Sequence, residues 1–439
     1  MTTEGSPRSR VRAALLLFLA AACNRDRDGS TVIDFWAMGR EGEVVQRMVP
    51  EFERRAPGIR VRVQQIPWSA AHEKLLTAYV GNAMPDVVQV GNTWLPEFVA
   101  LEAIERLDAW MADSSVVRAE AYFAGILDTN VVYGATYGAP WYVDTRVLFY
   151  RTDVLREVGY PQPPTTWDAW LDAMARIKER AGRGRYAILL PMTEWETPVI
   201  LALQRNARLL RDGDRYGDFR SPPFREAFVF YLDLFRRELA PRAGAAQVAN
   251  LYQDFANAYF SVYVSGPWNI GEFTRRLPPA MADRWSTAPV PGPDDRHPGV
   301  SLAGGASLVV VRGSKHKDAA WKWIEYLSEP AHQVEFYRLT GDLPSRMAAW
   351  EDPTLRQNSY TEAFRRQLEH VRSTPKIPEW ERIASKIGEH AETAIRSRLG
   401  IDAALAALDH DVDEILEKRR WLMDRGRGSA ARAREDTPQ

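Results

Sequence analysis

Four stretches of the chain set tryptophan beside planar polar side chains: Asn92-Thr93-Trp94, Trp141-Tyr142-Val143-Asp144-Thr145-Arg146, Glu194-Trp195-Glu196 and Gly266-Pro267-Trp268-Asn269. An indole offers a broad apolar face and one N–H donor. Carboxylates, amides and guanidiniums offer paired donors or acceptors in fixed geometry. Together they suit a ligand with flat apolar faces and many hydroxyls, such as a sugar ring. Each buried hydroxyl left unpaired would cost about 1–3 kcal/mol. The chain has 15 Trp, and core packing accounts for most of them. Trp36, Trp110, Trp167, Trp170, Trp321 and Trp323 are read as core or helix-packing residues.

Other chemistries lack their residues. There is no Gly-x-Ser-x-Gly elbow, no His-Glu-x-x-His pair and no Gly-rich phosphate loop. The 7 His are scattered singly, so no metal site is expected, and no cofactor either. The single cysteine, Cys23, rules out an intrachain disulfide. A net charge of −1 supplies no field for nucleic acid. A glycoside hydrolase remains an alternative, with Asp144 and Glu194 or Glu196 as its two carboxyl groups. So does a binding protein for a polyol phosphate, which would draw on Arg40, Arg146 and Arg346.

These residues must be held by elements that the pattern also predicts. Val32 to Trp36 is a short apolar strand. Ile59, Val61 and Val63 alternate with Arg60, Arg62 and Gln64, which is a half-buried strand. Between them a helix is expected, kinked or shortened at Pro50. Ala71, Leu75, Leu76 and Tyr79 mark another helix, ending at Gly81, before a strand at Val87 to Val90. Strand, helix, strand, helix, strand implies parallel crossovers and an open α/β sheet, whose ligands bind beyond the carboxyl ends of the strands. Those ends carry Met38, Arg40 and Glu41, then Asn92, Thr93 and Trp94. Strands are also expected at Val147 to Tyr150, Ser261 to Val264, Trp285 to Val290 and Ala306 to Val311. Thr165 and Asp168 form a capping-box pattern ahead of a helix. No internal repeat is visible.

Each candidate has a plain structural alternative. Asn92-Thr93-Trp94 is either a ligand edge or a turn with a packed Trp. Glu41 either faces ligand or serves as an acid in the first turn of a helix. Alternation puts Trp141 and Val143 on one side of their strand and Tyr142 and Asp144 on the other, and Asp144 could simply pair with Arg146. Trp195 and Glu196 lie in a loop that either lines a site or sits on the surface. Trp268 follows a Gly-Pro turn and is presented rather than buried. Gly304 and Gly305 precede a strand, where a missing Cβ lets backbone N–H groups approach a ligand. Arg346 binds hydroxyls or pins a helix start.

At the N-terminus, Arg8, Arg10 and Arg12 precede an apolar run from Ala13 to Ala22, too short to span a bilayer. Leu19-Ala20-Ala21-Ala22-Cys23 resembles a bacterial lipoprotein signal, with its leucine one place earlier than the usual pattern. That resemblance implies removal of residues 1–22, a lipid on Cys23 and a polar tether over 23–31. Residues 424–439 are basic, small and polar, and are expected to be disordered.

From Val32 to Ile401 the chain resembles the extracellular solute-binding proteins of carbohydrate ABC transporters, the group that includes the maltose-binding protein. The resemblance rests on Phe35-Trp36-Ala37-Met38-Gly39, Pro57-Gly58-Ile59-Arg60-Val61, Pro85-Asp86-Val87-Val88-Gln89, Gly138 to Arg146, Ser265 to Asn269, Gly304-Gly305, Ala320 to Ile324 and Leu343-Pro344-Ser345-Arg346. It implies an α/β, two-lobe periplasmic-binding-protein fold of type II, each lobe an open sheet flanked by helices. The first lobe would hold 32–143 and 285–329, the second 144–284 and 330–423, with a hinge between them. It further implies a monomer that binds a di- or oligosaccharide between the lobes and delivers it to the transmembrane permease subunits. The membrane contact would be the lipid on Cys23.

Overall fold

The computed structural model describes residues 29–244, 248, 250–397 and 399–425. The expected signal, Cys23, most of the tether and residues 426–439 lie outside these.

Two sheets form the frame. The first runs in the order Leu343–Pro344, Ala139–Asp144, Gly304–Val310, Val87–Gly91, Thr31–Met38, Ile59–Ile66. Its last three strands are parallel and the others antiparallel. Ile33, Phe35 and Ala37 are wholly buried on one face. Phe35 meets Trp141 and Trp323 edge-on, each with ring centroids 6.0 Å apart. Between the first two parallel strands the helical segment breaks at Met48, so that Pro50 enters in the first turn of Val49–Arg55, where its missing N–H is free of cost. The helix after Ile66 spans Trp68–Val80 and stops at Gly81.

The second sheet runs Trp285–Ala288, Val147–Arg151, Val262–Ser265, Ile188–Leu189. Trp285–Ala288 was expected in the first lobe, but it pairs antiparallel with Val147–Arg151. Trp285 is stacked there on Tyr360 at 3.9 Å. The other boundary moves too. Helix Pro330–Thr340 and strand Leu343–Pro344 were expected in the second lobe. The strand pairs with Ala139–Asp144, and Phe336 stacks on Trp141 at 4.4 Å, so both belong to the first. Helix Glu362–Leu368 then packs on the second sheet. The helix Trp167–Ala181 is capped by Thr166, which accepts the Ala169 N–H at 3.3 Å, one residue later than the capping-box pattern. Residues 417–425 are helical, and Asp424 pairs with Arg215 at 2.7 Å, so the expected disordered tail does not begin at 424.

The chain crosses between sheets at Thr145-Arg146, within residues 289–303, and again after Pro344. At the first crossing Ser301 locks the backbone: its hydroxyl accepts the Arg146 N–H at 3.1 Å and donates to the Arg146 carbonyl at 2.8 Å. Among the described residues no helix is long and apolar enough to cross a membrane.

Candidate functional site

A cleft of about 630 Å³ opens between the two sheets at these crossings. Five aromatic residues line it: Trp68, Trp94 and Tyr142 from the first lobe, Trp195 and Trp268 from the second. Trp68 and Trp94 meet edge-on at 5.6 Å. Trp268 opens the helix Trp268–Arg276 and is 37% exposed, as Trp68 across the cleft is 38%. Gly266 makes this placement possible, because a Cβ there would collide with the indole.

Arg146 organises the cleft floor. One amino group donates to both Asp144 oxygens at 2.5 and 2.7 Å, and the other to Glu196 at 3.0 Å. The guanidinium carbon lies 4.8 Å from the Trp268 ring centre, a cation–π contact. Burial alone would lower the pKa of this guanidinium, but the charges of Asp144, Glu196 and Glu194 outweigh it and hold it above its ordinary value. Asp144 and Arg146 are therefore an ion pair, and one that lines the cleft.

The first-lobe wall carries a second network. The Met38 N–H donates to Gln89 at 2.7 Å, Gln89 donates to the Tyr142 hydroxyl at 3.1 Å, and that hydroxyl donates to Glu41 at 2.8 Å. The Trp68 indole also donates to Glu41, at 3.2 Å. Asp342 lies in the same wall. Burial, and then its repulsion with Glu41, pushes the Asp342 carboxyl well above its ordinary range, and burial raises Glu41. Among the described residues no group of three or more His, Cys, Asp or Glu could hold a metal ion.

Of the residues singled out from the sequence, Trp268, Asp144, Trp94, Thr93, Glu41, Trp195, Glu196, Gly304 and Gly305 line the cleft together. For the two glycines a nearer cause appears. Gly305 has φ +133°, and a Cβ on it would strike the Tyr142 carbonyl. One on Gly304 would lie 2.9 Å from the Asp144 carbonyl. Close approach of two strands therefore demands glycine here, whatever the ligand. Asn92 also lines the cleft, but its amide is committed to Thr129 at 2.7 Å and Ser307 at 2.8 Å.

Four candidates lie elsewhere. Met38 is wholly buried in the first lobe's core. Trp141 is 1% exposed, on the opposite side of its strand from Tyr142 and Asp144. Asn269 is spent inside the second lobe, donating to Ser265 at 2.6 Å and accepting from Tyr252 at 3.0 Å. Arg346 is buried against Tyr122 and donates to the Val116 and Ser328 carbonyls, pinning the start of the short helix Met347–Glu351. The sequence reading missed Trp68, which follows the carboxyl end of strand Ile59–Ile66 after Pro67 and so meets the same strand-end rule that found Trp94. It also missed Asp342 and Glu272. Glu272 is held by Arg275 and Arg276 on its own helix.

Glu194, beside Glu196 and Arg146, is a second strongly perturbed acid. Burial, aided by repulsion from Glu196 and opposed by Arg146, pushes it from 4.5 up to about 7. A carboxyl raised on folding lends its stability below its unfolded value and loses it as the pH rises through the folded one. Glu194→Gln is therefore expected to stabilise the protein by about 2 kcal/mol near pH 8 and hardly at all near pH 4, discounted for its partial exposure. Thermal melts across that range check this, and a gain that is equal at both ends would refute it.

The similarity to known proteins agrees with this geometry. The family described as bacterial extracellular solute-binding protein matches residues 37–334. The structure of the sugar-binding protein MalE from Xanthomonas citri superimposes with a TM-score of 0.86 at 49% identity, covering 90% of this chain and 99% of that one. A putative binding protein of Brucella abortus is 25% identical over 92% of this chain and 96% of its own. The diacetylchitobiose binding protein DasA of Streptomyces coelicolor is 24% identical over 76% of each. The two sheets, the cleft at their crossings and these matches together make the chain a member of the bacterial extracellular solute-binding proteins.

Proposed function

We propose that the chain captures an uncharged sugar of two or more units in the interlobe cleft and passes it, unchanged, to the permease subunits of an ABC transporter. The observation that carries this reading is a cleft of about 630 Å³ that sets five aromatic faces beside Glu41, Asp144, Arg146, Glu196 and Asp342. That volume falls within the usual range for a small-molecule site. Aromatic faces from both lobes suit a ligand with more than one ring. The sugar-binding protein of Xanthomonas citri, with its 49% identity, supports the same class. Anchoring through a lipid on Cys23, outside the membrane, and action as a monomer belong to this reading.

An anionic solute such as a polyol phosphate fits less well. Of the three arginines it would need, Arg346 is buried elsewhere, Arg146 is already shared by two carboxylates, and Arg40 donates to the Leu339 carbonyl at 3.1 Å. Hydrolysis is disfavoured because Asp144 and Glu196 are held on one guanidinium, and Glu194, the carboxyl raised to about 7, is not among the residues that line the cleft.

The test is a calorimetric titration with maltose, maltotriose, diacetylchitobiose, arabinotriose and glycerol phosphate, followed by recovery of the ligand. One sugar class should bind and be recovered intact. Trp268→Ala should weaken that binding about 10- to 100-fold through lost stacking and apolar burial. Its melting temperature should barely move, since the ring is one-third exposed. Binding of the phosphate alone, or recovery of a cleaved sugar, would overturn the reading.

A further inference from the structure

The cleft indoles share a feature that the core indoles lack. At three glycines among the described residues, an added Cβ would have a tryptophan ring as its nearest neighbour: Gly39 against Trp68, Gly91 against Trp94 and Gly266 against Trp268. The chain has 15 Trp, and these three are all among the four that line the cleft. The fully buried Trp141, Trp323 and Trp380 stand in no such relation to a glycine. Each of the three glycines also lies at the carboxyl end of a strand. Gly39 follows Thr31–Met38, Gly91 ends Val87–Gly91 and Gly266 follows Val262–Ser265.

The backbone does not ask for glycine at 91 or 266. Both lie outside the left-handed region that favours it, and only Gly39, at φ +47°, lies within. What a side chain would meet is the indole, and the approach is graded. A Cβ on Gly266 would overlap the six-membered ring of Trp268. One on Gly39 would lie 2.7 Å from Trp68 Cδ1, and one on Gly91 3.3 Å from the Trp94 ring. Trp68 and Trp268 are 38% and 37% exposed, so an added methyl displaces the ring rather than the strand end. A displaced Trp68 gives up its hydrogen bond to Glu41, and a displaced Trp268 its contact with Arg146.

Resting on the reading of the cleft as a sugar site, we propose that Gly39, Gly91 and Gly266 are positioning residues for capture. Each is the seat of one indole, and together they fix where the aromatic faces of both lobes stand before a ligand arrives. Their missing side chains leave each ring flush with a strand end, where the sheet holds it.

The experiment compares Gly266→Ala, Gly39→Ala and Gly91→Ala with the wild type by calorimetric titration with maltose and maltotriose. Fluorine NMR of protein labelled with fluorotryptophan reads the rings themselves, each resonance being assigned by its loss in Trp68→Phe, Trp94→Phe or Trp268→Phe. Gly266→Ala should weaken binding about 10- to 100-fold, as far as loss of the ring itself does. Gly39→Ala should weaken it less, and Gly91→Ala least, in the order of approach. Each should shift the resonance of its own tryptophan in the unliganded protein. In a Trp268→Ala background, Gly266→Ala should cost no further affinity, because its effect runs through the ring, and Gly39→Ala should behave likewise in Trp68→Ala. These cycles cancel any strain at Gly39, which both members of a pair share. If Gly39→Ala does not fold, the other two glycines, whose backbones accept alanine, carry the test. A loss that adds in full to that of the tryptophan variant, or an unshifted Trp268 resonance in Gly266→Ala, would overturn the proposal. If neither sugar binds, the sugar reading has failed on that point, and the fluorine resonances still decide whether the glycines seat the rings.

Discussion

Replacing Arg146 by methionine is expected to weaken ligand capture by more than about 100-fold and to cost the fold roughly 3–5 kcal/mol, the usual penalty for removing one partner of a buried charge pair. The Arg146 side chain is only 17% exposed, and Asp144 and Glu196 are 25% and 20% exposed. Methionine fills the space but leaves those carboxylates, with Glu194 beside them, facing each other without a cation. The Trp268 ring loses the guanidinium that lies over it at 4.8 Å. Lysine should recover little, because a point charge on a flexible stem cannot bridge two carboxylates and lie flat on an indole together.

The pH course separates this account from a simple packing defect. Arg146 holds Glu194 below the value that burial and Glu196 would impose. Without Arg146 the Glu194 carboxyl rises further. The variant's deficit should then be smaller near pH 5, where Glu194 holds its proton, and larger near pH 8, where it is forced to ionise. Thermal melts and titrations at both values check the point. A deficit that ignores pH would mean that Arg146 acts only through its bulk.

The strands and crossovers were legible because each is written locally. Alternation at Ile59 to Val63 and the apolar runs at Val32 and Val87 need no partner to be recognised. Where the chain changes sheet is not local. Nothing in Trp285-Ser286-Thr287-Ala288 tells that its edge pairs with Val147–Arg151 rather than with the first sheet. Leu343–Pro344 is two residues long and is a strand only because Ala139–Asp144 lies beside it. Asp342 was missed for that reason, since its segment was placed in the wrong lobe. Trp268 was found because a Gly-Pro turn ahead of an indole is a local signal. Asn269, one residue later, was carried along with it although a helix turns neighbouring residues to different sides. Arg346 illustrates a further limit: a buried guanidinium that satisfies backbone carbonyls has the same sequence signature as one that waits for a ligand.

Trp141 offers the sharpest contrast with Trp268, and Trp141→Ala should destabilise the protein by about 3–5 kcal/mol, the range for emptying a large aromatic site in a core. The ring is packed on Phe336 at 4.4 Å and Phe35 at 6.0 Å, on the face of its strand turned away from the cleft. The folded fraction should still bind ligand within about fivefold of the wild type, because the ring reaches the cleft only indirectly, through Tyr142 at 5.8 Å and the Phe336 on which both rings stack. Trp141→Phe should cost much less than its lost volume suggests. The indole Nε1 is buried with no hydrogen-bond partner among the described residues, and its removal relieves an unsatisfied donor worth about 1–3 kcal/mol. Denaturant melts of both variants, with titrations run well below their midpoints, test the pair of statements. If Trp141→Ala kept its stability and lost its ligand, the indole would have to reach the cleft, and the alternation that sends Tyr142 and Asp144 one way and Trp141 the other would be wrong.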